Sequence, residues 1–467
     1  MFFYKLRMAA AGVAGILFLA ITGACGSDES TPSIQVFGVG SYQFGQIVSG
    51  QYTDAQFDGS VTGKLSHYWT QQASVQVGAE AKDDNGLSVC LDVEGTVSFP
   101  YTLPSDGSAF GYVYLQDRYD WTIHDADATY ALGDPKAPYL SITGGFFPFK
   151  YNPDARNFGE YLFRINPYPQ YLPTQFDCAY QNLLGFRLSS ILLPAVGKEM
   201  NSCPISSLRQ DLLLTSEMYL WPLRDFSLSY LVGCKVFNFA DIGAGIMGDR
   251  MFSVDENLTT PPPSAQTPVG GDFSFAGTKV MTRAAIDFKA FLPDLKNVFG
   301  ENDLRLYSEA CWNGLKNYPV PESLGGAPDP NYPGYNDLKR RLPVLIGFNV
   351  PTFGALDVLS CEAEWWNDNY ANSYWNVYPL GGGYIEVPNP TVYGSSPSDH
   401  REPYGGPWHW SFYAKKTLLK RLKIIGQVAR DHTVLNTALT GTVDGDPEEA
   451  MDGKGNWGWM AKFEYGF

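Results

Sequence analysis

From Trp457 to Phe467 (WGWMAKFEYGF) the chain alternates between two kinds of side chain. Odd positions carry Trp457, Trp459, Ala461, Phe463, Tyr465 and Phe467, and even positions carry Gly458, Met460, Lys462, Glu464 and Gly466. Successive side chains of a β-strand point to opposite faces, so this stretch sets an aromatic face against a mixed, partly charged one. A run of about ten such residues is the length at which a tilted strand crosses a bilayer, with one face in lipid and the other toward a polar interior. A soluble strand also alternates, but its exposed face is rarely so aromatic.

This ending resembles the closing strand of bacterial outer-membrane β-barrels, in which a terminal Phe with aromatics at alternate upstream positions is read by the barrel-assembly machinery. The resemblance implies an integral outer-membrane protein with outer-membrane lipid and that machinery as partners, and it makes Phe463, Tyr465 and Phe467 the assembly signal. The first residues agree. Lys5 and Arg7 precede an apolar run from Met8 to Ala24, followed by Cys25 and a Ser-rich acidic stretch. A basic start, a short apolar centre and small residues at the cut are the layout of a secretory signal, and the run is shorter than the roughly 20 residues of a spanning helix. Residues 1–24 are therefore read as a signal peptide, 25–32 as a short periplasmic linker and 33–467 as one barrel. Thr22, Gly23 and Ala24 ahead of Cys25 resemble a lipoprotein signal, except that Thr22 replaces the usual Leu. They equally suit ordinary signal peptidase, so lipidation of Cys25 and plain cleavage both stay open.

On length alone, 467 residues could hold two or three soluble domains, yet no domain seam is visible. Long apolar runs are absent after the signal, although the chain holds 29 Tyr, 29 Phe and 11 Trp. A barrel reconciles these facts, because it spreads its apolar surface over alternate positions and keeps a mean hydropathy as low as −0.18. The net charge of −16 excludes a nucleic-acid partner, which needs a basic face. Beyond Cys25 the cysteines are Cys90, Cys178, Cys203, Cys234, Cys311 and Cys361, none in a C-x-x-C pair. Neither a metal site nor a cofactor is expected from them, and Cys178 with Cys203 is the pair best placed for a disulfide.

Read backward from the C-terminus, connections between alternating segments are short, then long, then short. His409–Lys420 and Lys423–Leu435 meet at a tight turn; Leu342–Val350 and Leu356–Trp365 meet around Thr352–Ala355; Phe237–Ala240 is another short turn. Residues 437–456, 366–407, 317–336 and 255–272 are long. This beat is that of a barrel with periplasmic turns and extracellular loops, and an even strand count follows from both ends being periplasmic. We expect 16 antiparallel strands, with 14 and 18 as the neighbouring solutions. Parity within Lys279–Leu292 puts Val280, Thr282, Ala284, Ile286 and Phe288 on the lipid side and Arg283, Asp287 and Lys289 inside. The same logic turns Arg305, Glu309, Glu362 and Glu364 inward, because a charge facing the membrane midplane costs a few kcal/mol.

Tyr139–Arg164 (YLSITGGFFPFKYNPDARNFGEYLFR) runs from a strand into a long connection. Its opening bears a loose resemblance, over a small part of the chain, to porins of the phosphate-selective type, in which a Gly-x-Phe strand enters a Pro- and Asn-containing turn. A connection of 30-odd residues with this many aromatics is expected to do something. Residues 150–182 either fold into the barrel as a constriction, with Arg156, Glu160 and Arg164 facing the channel, or cap it from outside. The aromatic stretch 366–407, with Trp366, Tyr370, Tyr374 and Trp375, reads either as a self-packed loop or as a glycan-contacting surface. Asp431–His432 and His124 beside Asp125 and Asp127 lack the nucleophile a hydrolase needs, and adjacent strand residues would face opposite ways. The acidic loop from Asp444 to Asp452 lacks the glycine of a calcium loop. The reading that fits best is a channel for small hydrophilic solutes with a charged lumen, monomeric or trimeric and without enzymatic activity. A polysaccharide-binding barrel protein is the alternative, and an outer-membrane hydrolase comes third.

Overall fold

A computed structural model describes residues 33–54, 61–100, 119–134, 137–163, 170–172, 181–193, 205–216, 226–237, 239–252, 277–295, 298–313, 342–366, 406–435, 450–451 and 453–467. Its strands are β1 (Ser33–Asp54), β2 (Val61–Lys82), β3 (Leu87–Pro100), β4 (Tyr119–Asp134), β5 (Ala137–Phe149), β6 (Gln170–Leu172), β7 (Gln181–Leu193), β8 (Ile205–Ser216) and β9 (Phe226–Val236). They continue with β10 (Ala240–Phe252), β11 (Gly277–Asp287), β12 (Arg305–Trp312), β13 (Val344–Asn349), β14 (Val358–Trp365), β15 (Trp408–Leu418), β16 (Leu422–Arg430), β17 (Thr433–Leu435) and β18 (Trp457–Gly466). All but β6 and β17 form one closed antiparallel barrel in which each strand pairs with its neighbours in sequence, so the barrel has the 16 strands expected.

Closure falls to the C-terminal segment. β18 lies between β16 and β1, with Phe463 opposite Tyr42 and Tyr465 opposite Gly40. The last residue belongs to the same ladder: Phe467 N–H donates to Gly38 O at 2.9 Å, and Gly38 N–H donates back to Phe467 O at 3.2 Å. Phe463 and Tyr465 point outward and are exposed, and Phe44 stacks on Phe463 along the seam with ring centroids 6.3 Å apart.

The outer face explains why the barrel must close. Val36, Phe186, Ile346 and Phe412 are each more than half exposed, on four different strands. Such a continuous apolar exterior is an aggregation surface in water and a matched surface in hydrocarbon. In hydrocarbon an unpaired strand edge would leave N–H and C=O groups without partners, and closing the ladder removes every edge. The wall is thus built as a transmembrane barrel, and its buried residues lie inside it.

Two strands end earlier than the periodicity suggests. The segment beginning at Lys279 leaves the sheet at Asp287, whose Oδ1 accepts from Lys289 N–H at 3.0 Å and starts a 3₁₀ turn over Phe288–Phe291. The alternation continues past this point, but the cap bends the backbone away. The segment Lys423–Leu435 likewise leaves the wall after Arg430; residues 433–435 form β17, which pairs in parallel with β6 apart from the barrel.

The largest apolar cluster sits inside, along one side of the barrel. Phe147 and Phe149 at the end of β5, with Tyr151, Phe158, Tyr161 and Leu162 just beyond it, pack on Leu213, Leu231, Met281, Tyr307 and Leu345 of the wall. The chain after β5 therefore turns into the barrel rather than away from it.

Candidate functional site

Residues 150–163 carry no regular hydrogen-bonded structure of their own, so their backbone N–H groups need partners. The wall supplies carboxylates. Glu362 of β14 takes three consecutive amides: its Oε1 accepts from Arg156 N–H at 2.6 Å, and its Oε2 accepts from Asn157 N–H at 2.8 Å and Phe158 N–H at 3.1 Å. Tyr307 Oη donates to the same Oε1 at 2.7 Å. Glu309 of β12 accepts from Tyr151 Oη at 2.5 Å, Tyr161 N–H at 2.9 Å and Asn152 Nδ2 at 2.7 Å. Glu364, two residues after Glu362 on the same inward face, accepts from Tyr161 Oη at 2.6 Å. Charge-assisted bonds of this kind are roughly twice as strong as neutral ones.

Two cations complete the anchoring. Arg305 Nε lies 2.7 Å from Asp154 Oδ1, and Lys279 Nζ donates to Leu162 O at 3.2 Å. The loop closes on itself through Glu160, which accepts from Asn152 N–H at 2.6 Å and Tyr151 N–H at 3.2 Å. Burial pushes the Glu160 carboxyl up to about 8, the Glu309 carboxylate adds to the rise, and Lys150 opposes it. The turn before Glu160 needs Gly159: its φ is +88°, and a Cβ there would stand 2.9 Å from Leu345 Cδ2.

These contacts revise several sequence expectations. Glu160 was expected to face the channel, but it is buried within the loop, because two backbone amides need an acceptor there. Glu309, Glu362 and Glu364 do point inward, yet they are at most 4% exposed, since the loop covers them. Asp287 is the last residue of β11, where it caps the following turn, and Lys289 lies past the strand rather than along the channel wall, its Nζ donating to Gly300 O at 3.1 Å. Trp366 is 5% exposed, edge-on to Tyr161 and His432, which removes it from any outer glycan platform. Arg156 is half-buried, held through its main chain. Arg283 lies over Gly243 and reaches Asp241 at 3.0 Å. Cys25, Arg164, Tyr370, Tyr374 and Trp375 fall outside the described residues, as do Cys178 and Cys203.

No family model and no curated protein matches the sequence. Among solved structures, the chain is similar to a mutant of the Rh. blastica porin, at 10% identity and a TM-score of 0.39, over 93% of this chain and 100% of that one. A structure described as "Asymmetric conductivity of engineered proteins" is similar over the same shares at 9% identity and a TM-score of 0.38.

Away from the loop, the inner wall holds further charged side chains that keep contact with solvent. Arg187 pairs with Asp211 at 2.8 Å with 19% of its side chain exposed, and Asp241 opposite Arg283 keeps 28%. His124 lies 2.6 Å from Glu94, with 17% and 23% exposed. One group eluded sequence reasoning altogether. Glu364, His409 and His432 come from β14, β15 and the segment after β16, and all three are buried at one point beneath the loop. Their sequence spacing carries no signal; only the register of Glu364 opposite His409 and the departure of the chain after Arg430 bring them together.

Proposed function

We propose that this protein is an outer-membrane channel through which small hydrophilic solutes diffuse, with the loop 150–163 setting the narrowest cross-section. The observation that carries this reading is the division of the interior. One side is filled by a loop fastened to wall carboxylates, whereas charged pairs elsewhere on the inner wall remain partly open to solvent. A barrel of 16 strands is wide enough to hold water unless it is plugged, so a fastened loop narrows it without having to seal it. Mixed charges at the solvent-facing positions suit polar solutes of either sign. The reading places the chain in the outer membrane after removal of residues 1–24, inserted by the barrel-assembly machinery, as a channel rather than an enzyme.

Planar-bilayer recording tests it. The purified protein should give steady unit currents, and deletion of residues 152–163 should raise the unit conductance while the barrel keeps its heat-modifiable gel mobility. A folded barrel that stays electrically silent would overturn the channel reading and favour the polysaccharide-binding alternative.

A further inference from the structure

Two of the five histidines in the chain meet a carboxylate at a single point inside the barrel. Glu364 and His409 are directly opposite each other on β14 and β15, so both side chains leave the wall on the inner face. His432 arrives from a different direction. The chain leaves β16 after Arg430, and Asp431 fixes the bend: its Oδ1 accepts from Thr433 N–H at 3.1 Å, and its Oδ2 accepts from Gln427 Nε2 at 2.8 Å and Asn157 Nδ2 at 2.7 Å. Held this way, His432 Nε2 hydrogen-bonds Glu364 Oε2, while His409 Nδ1 lies 3.9 Å from that same oxygen. The two imidazole rings are 4.2 Å apart between centroids, and one donor atom from each of the three residues falls within 4.8 Å of the others.

We propose that Glu364, His409 and His432 bind one divalent transition-metal ion of the zinc class. Two imidazoles and one carboxylate are a donor set that zinc favours, and donors about 2.0–2.2 Å from zinc stand about 3.3 Å apart, within reach of small rotamer adjustments here. The ion takes the place of the proton shared between His432 Nε2 and Glu364 Oε2. Three protein ligands leave a fourth position for water. The surroundings are those of a metal site: Tyr161 Oη holds the other carboxylate oxygen at 2.6 Å, leaving Oε2 for the ion, and Phe158 and Trp366 stand edge-on around the His432 ring. Nearby Arg430 directs its guanidinium to the backbone oxygens of Trp408, Gly406 and Met451. Because Tyr161 belongs to the inward loop, a bound ion ties that loop to β14, β15 and the segment after β16.

The test uses the full barrel in detergent, stripped with dipicolinate and titrated with cobalt(II). One equivalent should generate visible d–d bands of four- or five-coordinate cobalt, and zinc should displace it. H409N and H432N should abolish the bands, Y161F should weaken binding by about 10–100-fold, and H124N, which alters an inner-wall histidine away from the site, should change nothing. Absence of bands in a folded wild-type barrel, or their persistence in H409N/H432N, would overturn the proposal. Should those variants fail to fold, X-ray absorption of the zinc-loaded wild type decides: two imidazole scatterers support the site, and an all-oxygen shell refutes it.

Discussion

Replacing Glu362 by Gln probes how the loop is held, because the change keeps shape and removes only charge and one acceptor. Glu362 Oε1 serves Arg156 N–H and Tyr307 Oη, and Oε2 serves Asn157 N–H and Phe158 N–H. The amide nitrogen of Gln must replace one of these oxygens. It is less costly at Oε1, because Tyr307 Oη can redirect its proton to Ser360 Oγ, 2.6 Å away. Arg156 N–H is then left without an acceptor, at about 1–3 kcal/mol, and the two bonds to the remaining oxygen lose their charge assistance, at about 1 kcal/mol in total. Burying a neutral amide in place of a carboxylate returns part of this, so the net loss is about 2 kcal/mol, or roughly thirtyfold in the equilibrium for loop release. Native-state hydrogen exchange read by mass spectrometry suits the measurement. Protection of a peptide covering residues 150–163 should fall by that factor in E362Q, whereas peptides from β2 and β10 should stay as in the wild type. Unchanged protection of 150–163 would show that apolar packing alone holds the loop and would refute the anchoring argument.

Loop release should also depend on pH. The Glu160 carboxyl is raised from its ordinary 4.5 to about 8 in the docked loop, so the docked state binds more protons; docking strength is full below about 4.5, declines up to about 8 and is level above it. Exchange protection of 150–163, corrected for intrinsic rates, should follow that curve and flatten in E160Q; a flat wild-type profile contradicts the assignment. Arg at Ile346, outward on β13 and 53% exposed, should cost about 2–4 kcal/mol of barrel stability in urea titrations in lipid, and a change below about 1 kcal/mol would invert the faces. Removing Phe467 breaks both of its bonds to Gly38 at the seam and should slow assembly, read as loss of heat-modifiable mobility in membrane fractions. Normal insertion of that variant would show that β18 closes the barrel without its last residue.

Strand parity was legible in the sequence because it is local: in β11, β12, β14 and β18 each inward or outward position follows from its neighbour, and a charge in lipid is costly enough to choose the face. The short–long beat of connections marked the barrel, the expectation of two periplasmic ends asked for an even count, and of the 14, 16 and 18 strands this allowed the closed barrel has 16. Strand ends were less legible, since the alternation runs on through Lys289 and His432 while the Asp287 cap and the Asp431 bend take the backbone out of the sheet. The same parity that turned Glu309, Glu362 and Glu364 inward could not show what they would meet. Glu362 and, in part, Glu309 meet backbone amides of a loop some 150 to 200 residues away in the chain, and a backbone amide has no residue-type signature, while Glu364 meets the side chains of Tyr161 and His432. Whether an inward carboxylate faces solvent or holds a loop, and whether two histidines distant in sequence converge on it, depends on which segment fills the barrel. That choice rests on contacts between remote parts of the chain, and only the closed tertiary structure makes it.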